Sequence, residues 1–486
     1  MLMSRAHSQT ALNSLIPIVA ALFMGGCSSS PNNHPEPSSS STQKSVLRVW
    51  QTETDSRAKD VLQNMERAFE AKYPQVDLQI ESVGWSSLAD KISSAVRNDS
   101  PPDLAHLEPF MVYELVKDNL LLPITDVVAD LEKQNGPIYS GVRDLQKYAD
   151  NYYGIAYAVG TTAYAYRKDI QQKLGLSVPK TWKEYVAFVR AMHQESGGKL
   201  PALLPGGDPF FIDQLFAELV ANNGGKLFDV SKRPPEPLME SQPVVETLQF
   251  FQDIAPYVDS GWRTQPYLDQ FDKLATGKAG NVLVTYARAF RAIEANQKNL
   301  PPGVSPTPDY FALMPQPSGP SFGKGGGRAP IATIDCEPFV IFRKAEGRRS
   351  SQNNLSNADL AKIFLKDFFY NRTYYLDFVK SVPIHLTPIF PALAQSPDYQ
   401  QAPPIRNWAQ WAKLTDEVLA ASDRTRPILM PDTSEGGRQL PFLMELQARR
   451  LLTNAVVAVV ADRQNPKQVA ATLQESVRRL VRAHYQ

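Results

Sequence analysis

Two carboxylates flank a cysteine in "ATIDCEPF", where Asp335 and Glu337 stand two residues apart. Side chains at i and i+2 on a strand point the same way. A facing pair of acids is what glycoside hydrolysis uses, but ligand-gripping and merely solvated pairs share that spacing. Catalysis is the weaker of these readings. "GPSFG" at 319–323 matches the nucleophile-elbow pattern, which needs a strand before it and a helix after it. Here "MPQPS" precedes and "KGGGRAP" follows, so a Pro/Gly-rich loop is expected instead. No phosphate-binding loop, CxxC, HExxH or dinucleotide fingerprint occurs. The 6 histidines are widely separated, and neither a metal nor a cofactor is expected. Cys336, among Pro and apolar neighbours, reads as a small buried hydrophobe rather than a nucleophile.

The other cysteine ends a different kind of segment. An apolar run from Leu15 to Met24 passes through Gly25-Gly26 into "CSSSPNNHPEPSSSSTQK". The run is well short of the ~20 residues that span a bilayer. It resembles a bacterial lipoprotein signal, with residues 1–26 removed and lipid added to Cys27. Met24 stands where that pattern prefers Leu; the alternative is an ordinary secretory signal with an incidental cysteine. Residues 27–44 are too poor in apolar groups to offset ordering entropy and are expected to form a flexible tether. Its root-mean-square reach would be roughly 23 Å.

Behind the tether lie about 440 residues, more than one hydrophobic core organises and natural for two lobes. Lys plus Arg is 51 and Asp plus Glu is 50; without Arg5 of the leader the charges balance. No basic excess or charged block points to nucleic acid or a membrane-surface patch.

The elements that must position any site begin with "VLRVW", a buried strand. "RAKDVLQNMERAFEAKY" follows with Val61, Leu62, Met65 and Phe69 on one helical face, then "VDLQIESV" alternates at period two. Strand–helix–strand order implies a parallel pair with a right-handed crossover. "WSSLADKISSAVRN", "PDLAHLE" and "FMVYELVKDN" continue as helix, strand and helix. Further on, "TWKEYVAFVRAM" opens with Thr181 and Glu184 at capping-box spacing, and "PFFIDQLFAELVANNGG" is a helix with an Asn-Gly stop. "NVLVTY", "DYFALMPQP" and "PIATIDCEPFVIF" are extended, and the remainder is largely helical.

Taken in order, "FEAKYPQVDLQI", "NDSPPDLAHLEP", "LVKDNLLLPITDVV", "YYGIAYAVGTTAYAYRKDI", "LSVPKTWKEYVAFV", "VANNGGKLF", "LATGKAGNVLV", "FLKDFFYNRTYYLDFV" and "VPIHLTPIF" carry a resemblance. The chain resembles the family 1 extracellular solute-binding proteins of bacterial importers, the maltose-binding-like group. "YRKD" departs from that family's usual Tyr-Asn before Lys-Asp, and residues around 301–330 and 395–440 are extra.

The resemblance implies an α/β fold of two lobes, each a mostly parallel sheet flanked by helices. It places lobe one at 45–160 plus 286–330 and lobe two at 161–285 plus 331–486. Three crossovers are expected near Ala158–Ala163, Gly280–Tyr286 and Pro330–Asp335. It further implies a monomeric, non-enzymatic protein, lipid-anchored to the cell membrane, that captures a carbohydrate between closing lobes and hands it to the permease of an ABC importer. A polyamine or glycerol phosphate would be the alternative cargo, and a glycoside hydrolase the less favoured class.

A sugar offers hydroxyls to acids, amides and Arg, and C–H faces to aromatic rings. The candidate ligand residues are Gln51, Glu53, Trp85, Glu108, Phe210, Tyr286, Arg288, Asp335 and Glu337. Each has a plainer alternative: Trp85 and Phe210 as core packing, Arg288 and Glu108 as solvated charges.

Overall fold

The computed structural model describes residues 44–286, 288–322, 332–349, 354–420, 425–427, 440 and 442–485. Cys27, the expected leader and all but the last residue of the expected tether lie outside these residues.

The strand Ser45–Gln51 buries Leu47 and Val49 and leaves their neighbours half exposed, the alternation of a sheet with one face on the core. It pairs in parallel with Val76–Ser82, register Ser45 to Val76, and on its other side with Leu104–His106. Pro338–Ile341 and then Ile155–Ala156 complete this five-stranded sheet in antiparallel sense. The helix Ser56–Lys72 starts where the Asp55 carboxylate accepts the Arg57 N–H at 2.9 Å. It buries Ala58, Leu62, Met65 and Phe69, with Val61 at the edge of that stripe. Phe69 meets Phe364 and Phe368 edge-on at 6.0 and 5.1 Å, so a late segment of the chain closes the first lobe's core.

The second sheet is centred on Gly160–Arg167, buried along its whole length. Asn281–Tyr286 runs antiparallel on one side. On the other side Phe311–Met314 pairs with its C-terminal half and Ala332–Asp335 with its N-terminal end, both antiparallel. Ala202–Leu203 and Thr425–Pro427 add parallel outer strands, making the sheet mixed.

These pairings redraw the expected partition. Phe311–Met314 and Asn281–Tyr286 both belong to the second sheet, although 286–330 was expected in the first lobe and Gly280–Tyr286 as a crossover. Pro338–Ile341, expected in the second lobe, lies in the first sheet. The physical reason is that "PIATIDCEPFVIF" is two strands, not one. The chain leaves the second sheet after Asp335 and enters the first at Pro338. The chain thus changes sheets between Ala156 and Gly160 and between Asp335 and Pro338. It crosses again between Asp398, paired with Arg372 of the first lobe at 2.9 Å, and Trp408, which meets Phe290 of the second at 5.3 Å.

Helix caps follow the residues that should make them. Thr181 and Glu184 form the expected capping box over Trp182–Glu195. Pro209–Asn222 stops at Asn223 before Gly224, whose positive φ of 73° suits glycine. The elbow-like "GPSFG" is turn through Phe322, and Gly323 lies outside the described residues. Cys336 is buried, as its apolar neighbours suggested. Among the described residues no helix is long and apolar enough to cross a membrane, and no group of three His, Cys, Asp or Glu could hold a metal.

Candidate functional site

A cavity of about 660 Å³ opens between the two sheets. Its position follows from topology: the turns after parallel strands and the helix N-termini they feed collect at one end of each sheet. Three helices begin at its walls. Gly84 caps Trp85–Arg97 and Glu108 caps Pro109–Lys117 on the first lobe, and Asp208 caps Pro209–Asn222 on the second. Their positive dipole ends therefore lie at the cavity's edge.

The first-lobe wall is a ring cluster. Trp85 lies edge-on to His106 at 5.5 Å, and His106 packs against Tyr157 at 4.0 Å. Trp85 and Tyr157 line the cavity while His106 supports them from behind. Burial pushes the His106 imidazole down to about 3, with the Glu337 backbone pulling the other way, so a neutral ring packs there. The second-lobe wall carries Phe210 edge-on to Phe211 at 5.1 Å, and Phe211 stacked on Tyr267 at 3.6 Å and 12°. Leu268, exposed, extends that apolar wall. Such faces suit the C–H surface of a sugar ring or another flat apolar group.

Polar groups punctuate these walls. Arg288 lines the cavity and is gripped by Glu53, with Nη2 donating to Oε2 at 2.9 Å and Nη1 to Oε1 at 3.4 Å. Burial works against the Arg288 charge, and the Glu53 carboxylate more than offsets it. The buried Glu108 and Glu337 also line the cavity, as does His385, whose ring burial and the Arg288 charge keep well below its ordinary range.

Of the nine residues expected at the ligand, Trp85, Glu108, Phe210, Arg288 and Glu337 come together on this cavity. Gln51 and Glu53 stand one layer back, bonding to each other and to Arg288 rather than lining the cavity. Gln51 Nε2 donates to the Glu53 carbonyl at 2.9 Å and its Oε1 accepts the Glu53 N–H at 2.6 Å. Besides holding Arg288, Glu53 Oε1 accepts the N–H groups of Thr54 and Asp55, both at 2.9 Å. The side chains of Tyr286 and Asp335 lie outside what the structure describes. The same-face argument for Asp335 and Glu337 fails because the strand ends at Asp335 and Glu337 is in the crossover.

Tyr157, Tyr267, His385, Met444, Gln447 and Arg450 also line the cavity and escaped sequence reasoning. Tyr157 and His385 sit inside "YYGIAYAVGTTAYAYRKDI" and "VPIHLTPIF", so a signal was present. The C-terminal residues offered none: they arrive on a helix, Leu443–Ala448, and on Arg450 at a left-handed φ of 53°.

Comparison with known proteins defines the class. The bacterial extracellular solute-binding protein profile matches residues 51–333, more than half of the chain. The chain belongs to that family. It is similar to the arabinooligosaccharide-binding protein of Bacillus subtilis, 20% identical over 245 residues, covering 49% of this chain and 53% of that one. It spans about half the length of the curated relatives it matches. Among solved structures, maltose-bound MalE3 of T. maritima superposes with a TM-score of 0.70 at 18% identity, over 90% of this chain and 100% of that one. The GacH receptor of Streptomyces glaucescens, solved unliganded and with acarbose, superposes at 0.67 and 15% identity, over 90% and 99%. The two-lobed solute-binding fold is shared with both.

Proposed function

We propose that this protein captures a carbohydrate, a di- or oligosaccharide or a sugar-based compatible solute, between its lobes and delivers it to the permease of an ABC importer. The observation that carries the reading is the cavity itself. Aromatic rings stand on both walls, with Glu108, Glu337 and a half-buried, paired Arg288 between them. Rings cover the faces of a sugar while charged groups take its hydroxyls; a polyamine or glycerol phosphate would call for walls of one charge sign. The volume lies within the range of small-molecule sites, about 300–1,000 Å³. The names of the relatives, which bind arabinooligosaccharides, maltose and acarbose, support the same class.

In this reading the protein is a monomer without catalytic turnover. Its leader, residues 1–26, is removed, and lipid on Cys27 holds the body near the membrane through the 27–44 tether. The first lobe comprises 45–158 and about 338–400, the second the segments between and after, as the strand pairings support.

A panel of sugars, polyamines and glycerol phosphate screened by thermal shift tests the class, since a ligand that binds the native state raises its melting point. A shift with a saccharide, unaccompanied by products on chromatography, is the expected result. A shift with the polyamine or phosphate alone would overturn it.

A further inference from the structure

Beside the cavity, the turn after the first strand faces a helix that belongs to the other sheet. Glu53, Asp55 and Arg57 are spaced two apart across the N-terminus of helix Ser56–Lys72, on the first lobe. The helix Ala289–Ala295 follows strand Asn281–Tyr286 of the second sheet and buries Ala289, Phe290 and Ile293. Asn296 at its end donates to Asp272 of the second lobe at 2.7 Å. Arg288, Arg291 and Glu294, three apart, share one side of this helical segment.

The two sets meet rung by rung. Glu53 pairs with Arg288 at 2.9 Å, Asp55 with Arg291 at 2.8 Å and Arg57 with Glu294 at 3.1 Å. The first lobe presents minus, minus, plus; the second presents plus, plus, minus. Sliding either element by one rung sets at least one pair of like charges together, so the pattern specifies register as well as attraction. Arg291 also donates to Glu294 at 2.6 Å, tying the outer rungs on the helix. Side-chain exposure grows outward from the cavity, 0 and 16% for Glu53 and Arg288, 13 and 23% for Asp55 and Arg291, and 41 and 33% for Arg57 and Glu294.

We propose that these three ion pairs form a charge-coded clasp that draws the lobes together over the cavity before any ligand is present. Arg288 is the rung shared with the ligand site, so ligand and clasp stabilise the same closed arrangement. A protein already partly closed loses less binding free energy to closure. The outer rungs are open to solvent, and salt weakens them. The inference rests on the two-lobed fold and not on which solute is bound.

The test uses the full-length mature protein without ligand, with dyes on exposed sites of the two lobes for single-molecule distance measurement at low and high salt. Asp55→Asn keeps a residue able to cap the helix, and Arg291→Gln keeps the stem. Each is expected to lower the closed-to-open ratio roughly two- to fivefold, the range for partly exposed ion pairs. The double variant should fall no further than the larger single effect, and its salt dependence should be smaller than that of wild type. An unchanged distance distribution in both singles, additive effects in the double, or a wild type indifferent to salt would each overturn the clasp. Matching melting curves exclude loss of fold as the cause.

Discussion

The strand Ser45–Gln51 is paired by Val76–Ser82 and Leu104–His106, the next two strands of its sheet along the chain. Gly160–Arg167, its counterpart in the second lobe, is flanked by strands that begin at Asn281, Phe311 and Ala332. Both lobes bury polar clusters. The first is packed by apolar side chains such as Leu47, Met65 and Phe69. It also buries Asp103, which accepts the Arg48 N–H at 2.8 Å and an Asn357 Nδ2–H at 2.9 Å and pairs with Arg348. The second hides a polar stripe on helix Pro209–Asn222, where Gln214 donates to Glu218 at 3.1 Å and Asn222 to Gln316 at 2.5 Å. Gln316 in turn donates to Glu218. Networks of this kind specify one arrangement of distant segments where apolar packing would accept several. Each lobe uses one, and each sheet takes in a strand remote in the chain, Pro338–Ile341 in the first and Ala332–Asp335 in the second.

The sharpest way to break this comparison is to excavate each core. Phe69→Ala in the first lobe and Phe216→Ala in the second, both fully buried, should each cost about 3–5 kcal/mol in urea unfolding. Two transitions with only one displaced by each variant would mark the lobes as separate folding units. A single transition displaced by both would mark them as one.

The two cavity walls should differ next. Glu108→Ala should weaken ligand binding more than tenfold, a hydrogen bond to a charged group contributing about 1.5–3 kcal/mol. Matching melting curves would show that its fold survives. Phe210→Ala on the opposite wall should lose about 0.5–1.5 kcal/mol beyond its area. Calorimetric titration of the identified solute ranks them, and a larger loss at Phe210 would reverse the assignment of the polar wall.

Acid and base should act on buried groups of both lobes. Burial raises the Asp213 carboxyl in the second lobe to about 7, against the hydrogen bonds it accepts from Thr453. The native state then binds more protons than the unfolded chain between the ordinary carboxylate range and about 7. This contribution is complete below that range and lost as pH rises through about 7. Glu114 of the first lobe, also raised to about 7 by burial, adds to the same limb. His106 acts oppositely: lowered to about 3, it contributes stability above the ordinary imidazole value of 6.5 that is lost as pH falls toward 3. The windows overlap between the ordinary carboxylate range and 6.5, where the two effects oppose. Urea midpoints should fall as pH rises toward about 7 and again as it falls toward 3. Asp213→Asn should flatten the upper limb and His106→Gln the lower. An upper limb unchanged in Asp213→Asn would show that this carboxyl is not what titrates.

The smallest effect tests whether local devices are equal in both lobes. Thr181→Ala and Ser356→Ala each remove a complete capping box, one per lobe, and should cost about 0.5–2 kcal/mol. A negligible cost at either position would show that tertiary packing already holds that helix.

Much of the first lobe was legible. The alternation in "VDLQIESV", the 3.6-residue stripe through Leu62, Met65 and Phe69, and the capping box at Thr181 in the second lobe are rules acting within a few residues. The candidate site was legible wherever a strand runs straight into a helix, as at Trp85, Glu108 and Phe210, because that junction is both local in sequence and directed at the cleft. Gln51 and Glu53 were placed on the right strand end but one layer too far forward. Which oxygen of Glu53 faces a guanidinium 235 positions away is not a local property.

By itself, then, the sequence determined the elements, their caps and the alternation of strand and helix, because hydrogen-bonding partners and apolar periods there lie within one or two turns of chain. The tertiary structure alone decided that "PIATIDCEPFVIF" is divided between two sheets. It alone brought Tyr267, Gln447 and Arg450 onto one cavity and set three charged groups of one lobe against three of the other. The physical reason is that strand pairing and charge pairing reward any complementary partner the fold brings near. Which one is near depends on how every other segment has packed.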